Sequence, residues 1–381
     1  MPEVFAARRA RLRERCHAVG SAAALVTRPA NVRYLAGAAP PGAVLLLAPR
    51  DGAEDVLLCP HPLEDPQPSG AREGGRPDDL LRIRPLGGSL SPEGGDAAVA
   101  AAGLAAEEGG VDSLAVEEHH LTVARHRAIG SVAPRLRLTD LGASVEQMRV
   151  VKDEEEISCL RAGAEIADQA LGELLESILV GRTERHLALE LERRLVDHGA
   201  DGPAFPTSVA TGPHAGRPGH RPTDRRVEEG DFLSVCMGAT YRGYRCEIGR
   251  TFVIGTTPAD WQIELYDVVF AAQRAGREAL APGVEHREVD RAARHVLSSA
   301  GYGSALPART GHGVGLEIAE DPQLAPAAMG KLDACVPVTV EPGVHLPGRG
   351  GVRIDDTLVV RPEADGGPEL LTITTKELLA L

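Results

Sequence analysis

Five residues in the last part of the chain combine reactive types with unusual settings. They are Cys236 in Ser-Val-Cys-Met-Gly-Ala, Glu247 eleven positions later in Tyr-Arg-Cys-Glu-Ile-Gly-Arg-Thr, His312 in Gly-His-Gly-Val-Gly, Glu341 in Thr-Val-Glu-Pro-Gly and Asp355 in Gly-Val-Arg-Ile-Asp-Asp. Carboxylates with one imidazole and one thiol form a donor set for a divalent cation, and a cation so held polarises a carbonyl and activates water. Singly, acids and histidines in Gly-rich turns are most often solvated or cap a helix. The set outlines a metal cage only if four distant segments converge.

The elements that must bring them together follow from periodicity. Residues 3–18 read as a helix, and Ala22 to Val26 and Ala43 to Leu47 read as short buried strands, so the opening is α/β. Residues 62–95, rich in Pro, Gly and Asp, read as a long surface excursion. At Met148-Arg-Val-Val-Lys-Asp the pattern changes. Asp153 can cap a helix whose first turn carries Glu154 to Glu156, and Ile157, Leu160, Ala164 and Ala167 recur at helical spacing. This predicts two domains, 1–148 and 149–381. In the second, helices near 155–180 and 184–199 precede strands, and helices near 259–281 and 286–300 precede strands again.

Those motifs resemble the pita-bread superfamily, which holds creatinase, aminopeptidase P, prolidase and methionine aminopeptidase. Gly230-Asp-Phe-Leu-Ser-Val-Cys-Met-Gly-Ala is similar to the family's Gly-Asp-x-Val-x-x-Asp-Phe-Gly-Ala, with Cys236 at an aspartate position. Glu247 stands at a second aspartate, and Asp355 at the final glutamate of Gly-Val-Arg-Ile-Glu-Asp. His312 and Glu341 match the family residues. Asn31-Val-Arg-Tyr-Leu-Ala-Gly resembles the N-terminal domain of prolidase-like proteins. The resemblance implies an α/β N-terminal domain and an α+β pita-bread C-terminal domain with pseudo-two-fold symmetry.

It further implies a metal site at Cys236, Glu247, His312, Glu341 and Asp355, with Glu341 as the catalytic proton shuttle. Glu247, Glu341 and Asp355 supply three negative charges, and a fourth arises only from a Cys236 thiolate. The charge count and the sulfur at 236 rank one ion (Mn, Co or Zn), held by Glu247, His312, Glu341 and Asp355, ahead of two, and two ahead of none. Arg217-Pro-Gly-His-Arg-Pro-Thr-Asp-Arg resembles Pro-His-Gly-x-Pro-x-Asp-Arg with Gly219 and His220 exchanged, which makes His220 a catalytic and substrate-binding candidate and His214 its reserve. Arg353 projects to the same strand face as Asp355, to bind a substrate terminus or to pair with acids. Where prolidases usually carry Leu-Glu-Val-His-Glu, this chain has Leu-Glu-Ile-Ala-Glu, with Ala319 at the histidine position.

Three functional readings remain open. The resemblance implies a metal-dependent hydrolase of the Xaa-Pro bond in short peptides. The altered ligand positions favour a creatinase-like, metal-independent C–N hydrolase acting on a small molecule, and Ala319 favours a non-catalytic binder. In 381 residues the net charge is -14, so no basic field exists for nucleic acid or an anionic membrane. No window reaches the roughly 18 apolar residues of a membrane span. Six scattered cysteines read as reduced thiols, which points to the cytoplasm. The family resemblance adds the expectation of a homodimer.

Overall fold

The computed structural model describes residues 2–37, 39–49, 53–60, 81–86, 96–107, 111–177 and 179–381. These form two compact units, Met1–Arg149 and Val150–Leu381.

The first unit contains α1 (Pro2–Ala18), β1 (Ala23–Val26), α2 (Pro29–Ala36), β2 (Val44–Leu47), β3 (Asp55–Cys59), β4 (Leu81–Pro85), α3 (Ala97–Glu107), β5 (Ser113–Val116), α4 (Val123–Val132), β6 (Arg137–Asp140) and α5 (Ser144–Arg149). The strands form one mixed sheet in the order β4-β3-β2-β1-β5-β6. Strands β1, β2 and β5 are buried throughout, as expected of central strands covered on both faces. Helix α3 packs on the sheet through Ala97, Ala98, Ala101, Ala102 and Ala105, small side chains that permit close approach. Asp55 holds α1 to the sheet through buried ion pairs to Arg9 (2.7 Å) and Arg13 (2.5 Å). One expectation is corrected here. Within the supposed excursion 62–95, Leu81 and Ile83 alternate with arginines and form the edge strand β4, parallel to β3. The rest of that stretch, 61–80 and 87–95, lies outside the described residues.

The second unit opens with α6 (Glu154–Leu175) and α7 (Glu184–Asp197). Asp153 and Glu156 form a reciprocal capping box at the start of α6, and Ile157, Leu160, Ala164, Ala167, Leu171 and Leu174 form its buried stripe. Strands β7 (Gly202–Pro203), β8 (Ser208–Thr211), β9 (Phe232–Met237), β10 (Ala239–Tyr241), β11 (Tyr244–Arg245) and β12 (Ile248–Val253) follow. A second helix pair, α8 (Asp260–Glu278) and α9 (His286–Ser299), precedes β13 (Gly311–Gly313), β14 (Glu320–Leu324), β15 (Pro337–Val340), β16 (Gly343–Leu346), β17 (Gly350–Arg353), β18 (Asp356–Val359) and β19 (Glu369–Leu370). The two halves repeat the order of two helices, then strands.

Antiparallel sheets β12-β9-β8 and β14-β13-β15-β18-β19 face the two helix pairs, and all six residues of β12 are buried. The sheets are stitched by a bridge between Gly249 and Asp355, whose backbones exchange hydrogen bonds of 2.9 and 3.1 Å. That bridge sets one half of the fold against the other at the residues of chemical interest.

Candidate metal centre

Each candidate ligand is carried by a strand or its end. Cys236 lies in β9 opposite Gly249 of β12, and Glu247 precedes β12, its backbone N–H donating to Thr357 Oγ1 at 3.0 Å. His312 sits in β13, and Glu341 follows β15 with its N–H on the Thr310 carbonyl at 2.8 Å. Asp355 is fixed by the Gly249 bridge and by Arg250, which donates to its carbonyl at 2.7 Å. A Cβ on Gly249 would meet Asp355 Oδ2 at 1.8 Å, so glycine is required there for space rather than for backbone angle.

Tertiary structure brings all five together, in two overlapping trios that share Glu247. Donor atoms of Cys236, Glu247 and Asp355 lie within 4.8 Å of one another, and so do those of Glu247, His312 and Glu341. In the second trio, His312 Nδ1 donates to the Gly313 carbonyl at 3.0 Å, the role assigned from its acceptor. With Nδ1 so engaged, Nε2 faces Glu247 Oε2 at 3.5 Å and Glu341 Oε1 at 3.4 Å, and its lone pair would reach an ion between them once the ring is deprotonated. Three ligand atoms converge at distances too long for strong hydrogen bonds. This trio fits a divalent cation, and its residues would hold one.

The first trio is different. Arg353 turns into it, with Nη2 at 2.7 Å from Glu247 Oε1 and 2.5 Å from Glu341 Oε2, and Nε at 2.5 Å from Asp355 Oδ2. The Nε contact is a charge contact only. Neither that N–H nor either Asp355 oxygen has a hydrogen bond among the described residues. The fourth negative charge, which only a Cys236 thiolate would supply, is disfavoured: burial pushes its pKa well above the usual thiol value, and the S–H donates to Glu247 Oε1 at 3.2 Å. Of the two roles read for Arg353, its contacts are those of an ion-pair partner, since its guanidinium is engaged by the protein's own acids.

These contacts pull the acids apart electrostatically. Burial acts to raise Glu247, but His312, Arg353 and Cys236 outweigh it and lower its pKa to about 2. Burial raises Glu341, reinforced by the neighbouring Glu247 charge. Asp355 is raised to about 7, first by burial, with Arg353 opposing and Glu247 and Glu341 adding repulsion. For His312, burial acts downward but Glu247 and Glu341 prevail and raise it.

The trios open onto a cavity of about 610 Å³ lined by Cys236, Glu247, His312, Glu341 and Arg353, but not by Asp355. Its outer wall carries Phe205, Pro206, Pro307, Ile318 and Ala319, with Arg217, Arg221 and Arg309. A larger hollow of about 840 Å³ lies in the first unit around Leu46, Arg82 and Arg84 and touches none of these residues.

His220 lines the cavity, yet its Nε2 is bonded to Glu184 Oε2 at 2.9 Å. Gly219 has φ +67°, a left-handed conformation that suits glycine and turns the following side chain inward. His214 is not a cavity residue. Its Nδ1 is held by Glu184 Oε1 at 2.9 Å, which corrects its candidacy as a substrate contact. Fully buried Glu184 accepts from Thr211 N–H (2.8 Å), Thr211 Oγ1 (3.3 Å) and His214 on Oε1. Its Oε2 accepts from His220, Thr223 N–H (2.9 Å) and Thr223 Oγ1 (2.7 Å). With three donors on each oxygen, this carboxylate orients two histidines and has no capacity left for an ion. Sequence reasoning missed it, because an acid in the first turn of a helix reads as a complement to the helix dipole. It also missed Arg309, whose Nη1 is braced by Gln323 at 2.9 Å beside Glu341.

A metallopeptidase family M24 model matches residues 158–362, more than half of the chain, and a creatinase/prolidase N-terminal domain model matches residues 8–151. The chain belongs to metallopeptidase family M24. An Xaa-Pro dipeptidase of Pyrococcus furiosus is 37% identical to this M24 chain over 235 residues, 62% of this chain and 66% of that protein. The structure of an Xaa-Pro dipeptidase from Bacillus anthracis superposes with a TM-score of 0.87 at 30% identity, covering 99% of this chain and 100% of the other. An X-Pro aminopeptidase from Thermotoga maritima gives a TM-score of 0.82 at 28% identity over 97% of this chain and 100% of that one. The M24 chain therefore has the pita-bread fold behind a prolidase-type N-terminal domain.

Proposed function

We propose that this M24 protein hydrolyses the Xaa-Pro bond of short peptides with a divalent ion (Mn, Co or Zn) held by Glu247, His312 and Glu341. The observation that carries this reading is the convergence of those three acceptors on one point at the floor of a cavity of peptide size. When bound, the ion supplies Lewis-acid polarisation of the scissile carbonyl and of attacking water. Glu341 takes the proton of that water and returns it to the departing proline nitrogen. A carboxylate raised by burial and by Glu247 suits both directions of transfer. His220, its far nitrogen fixed by Glu184, presents its ring to the substrate. Phe205, Pro206, Pro307 and Ile318 offer an apolar wall for the proline ring, and Arg309 offers a cation for the peptide carboxylate.

Residence in the cytoplasm is part of the proposal, supported by six free thiols. No helix among the described residues is long and apolar enough to cross a membrane. A homodimer rests on the family resemblance and is tested by light scattering. The deciding experiment is a panel of Xaa-Pro dipeptides and tripeptides with Mn, Co or Zn added. Turnover that disappears in Glu341→Gln supports the reading, and turnover that survives this change removes Glu341 as the proton carrier. One observation favours the metal-independent C–N hydrolase instead: a guanidinium already stands inside the cage. Under that reading turnover persists after exhaustive chelation.

A further inference from the structure

The chain carries 55 acidic residues against 41 lysines and arginines, yet beyond the cage its cavity reverses that balance. Among the described residues the outer wall holds no acid, and its charged side chains are Arg217, Arg221 and Arg309. We propose that Arg217 and Arg221 select Xaa-Pro peptides whose residue before proline is Asp or Glu, while Arg309 takes the carboxylate of the proline itself. This rests on the peptidase reading given above and adds its substrate class.

Three observations carry it. The first is a built turn. Arg217-Pro218-Gly219-His220 is closed by the His220 N–H on the Arg217 carbonyl at 3.3 Å, with Gly219 at φ +67°, the pattern of a type II turn with proline second and glycine third. Ser208 Oγ donates to the His220 carbonyl at 3.3 Å and ties the end of the turn to β8. One arginine is thereby set before His220 and one after it, and all three line the cavity.

The second observation is that the remaining arginines of this loop are already engaged. Arg225 donates to Asp231 at 2.8 Å, and Arg226 to the Gly181 carbonyl at 2.6 Å. Arg217 and Arg221 have no side-chain hydrogen bond or ion pair among the described residues, and both are exposed at the cavity mouth. Two guanidinium groups free of internal acids at the mouth of a cleft attract a carboxylate by charge and hold it through paired N–H donors.

The third is that the basic groups come from different segments. Arg309 precedes β13 and stands 3.6 Å from Glu341, and its near neighbour Pro307 belongs to the apolar wall offered to the proline ring. A dipeptide such as Glu-Pro has one carboxylate on that ring and one on the side chain before it. With Arg309 beside the ring, the side-chain carboxylate falls to the arginines that flank His220.

Full-length Glu341→Gln, loaded with Mn2+, allows binding to be read without cleavage, and calorimetric titration compares Glu-Pro, Gln-Pro and Lys-Pro. Glu-Pro should bind about fivefold tighter than Gln-Pro in low salt, the size expected of two exposed ion pairs, and Lys-Pro more weakly than either. The gap should close at about 1 M salt, where charges are screened beyond about 3 Å. Adding Arg217→Gln and Arg221→Gln should abolish the gap, whereas adding Arg309→Ala should weaken all three dipeptides and keep it. Equal affinity for Glu-Pro and Gln-Pro would overturn the inference, as would a gap that survives the loss of both arginines in a chain with native near-ultraviolet circular dichroism. A preference for Ala-Pro-Glu over Ala-Pro-Gln, with none for Glu-Pro over Gln-Pro, would overturn the placement before proline. Wild-type turnover of the same dipeptides with Mn2+ separates the two readings: binding preference without any turnover removes the peptidase and leaves the charge selection, and turnover without preference does the reverse.

Discussion

Asp355 and Asp356 are consecutive, both fully buried, and face opposite environments. Asp356 is saturated: Arg250 donates at 2.8 Å, Thr372 at 2.9 Å and Gln273 at 2.5 Å, and Lys376 lies at 3.2 Å. Among the described residues Asp355 has no hydrogen bond at either oxygen, and its Oδ2 meets the Arg353 guanidinium as a charge contact at 2.5 Å. One acid holds the strands together, while its neighbour is left under-partnered where a cation belongs.

Asp356→Asn breaks a buried ion pair and should cost roughly 3–5 kcal/mol in urea unfolding. Asp355→Asn should cost far less in metal-free protein, because the ionised form is disfavoured in the fold. The sign follows from the pKa: a carboxylate raised to about 7 binds its proton more tightly folded than unfolded, so its contribution declines as pH rises from near 4 toward 7. Asp355→Asn should remove that decline. Equal destabilisation by the two changes would sink the distinction.

Glu184 should dominate the acid limb of stability. Burial acts to raise it, but Thr223, His220 and the Thr211 and Thr223 amides lower its pKa from 4.5 to about 2. Such a depressed carboxylate stabilises the fold above its unfolded pKa, and the contribution is lost as pH falls from about 4.5 to about 2. Its size is on the order of 3 kcal/mol. Glu184→Gln should lose that amount at pH 7 and flatten the profile in the acid window, as read by thermal unfolding across pH.

Ala319 lines the cavity where the resemblance expects an imidazole. Ala319→His restores a donor near the reacting carbonyl and should raise kcat on Xaa-Pro substrates, by up to the roughly 10²-fold that one oxyanion donor contributes. An unchanged kcat, with the ion bound, would show that the missing imidazole does not limit this protein.

Arg309 is 42% exposed, braced by Gln323 and set 3.6 Å from Glu341. Arg309→Ala should raise KM about tenfold for a free dipeptide and leave kcat nearly intact, while a C-terminally amidated substrate feels little change. Equal losses on both substrates would place Arg309 in the chemistry rather than in carboxylate recognition.

Much of this was legible before any coordinates. Asp153 and Glu156 announce α6, the apolar spacing of Ile157 to Leu174 sets its buried face, and the Gly- and Pro-flanked motifs name the five cage positions in order. Strand β4 was hidden because its two apolar residues sit in a stretch rich in Pro and Gly. Glu184 and Arg309 were hidden because each looks ordinary in its local window, and their partners lie 27 to 39 and 14 residues away.

The sequence by itself determined the fold, the family and the list of candidate donors, because periodicity, caps and motif order are local properties written along the chain. Only the tertiary structure decided how those donors share one cage: that Cys236 is a neutral donor, that Glu184 claims both His214 and His220, and that Arg353 stands among the acids. The physical reason is that charge state and occupancy depend on distances between segments about 100 residues apart, as between Glu247 and Arg353, and on the burial that removes water from between them.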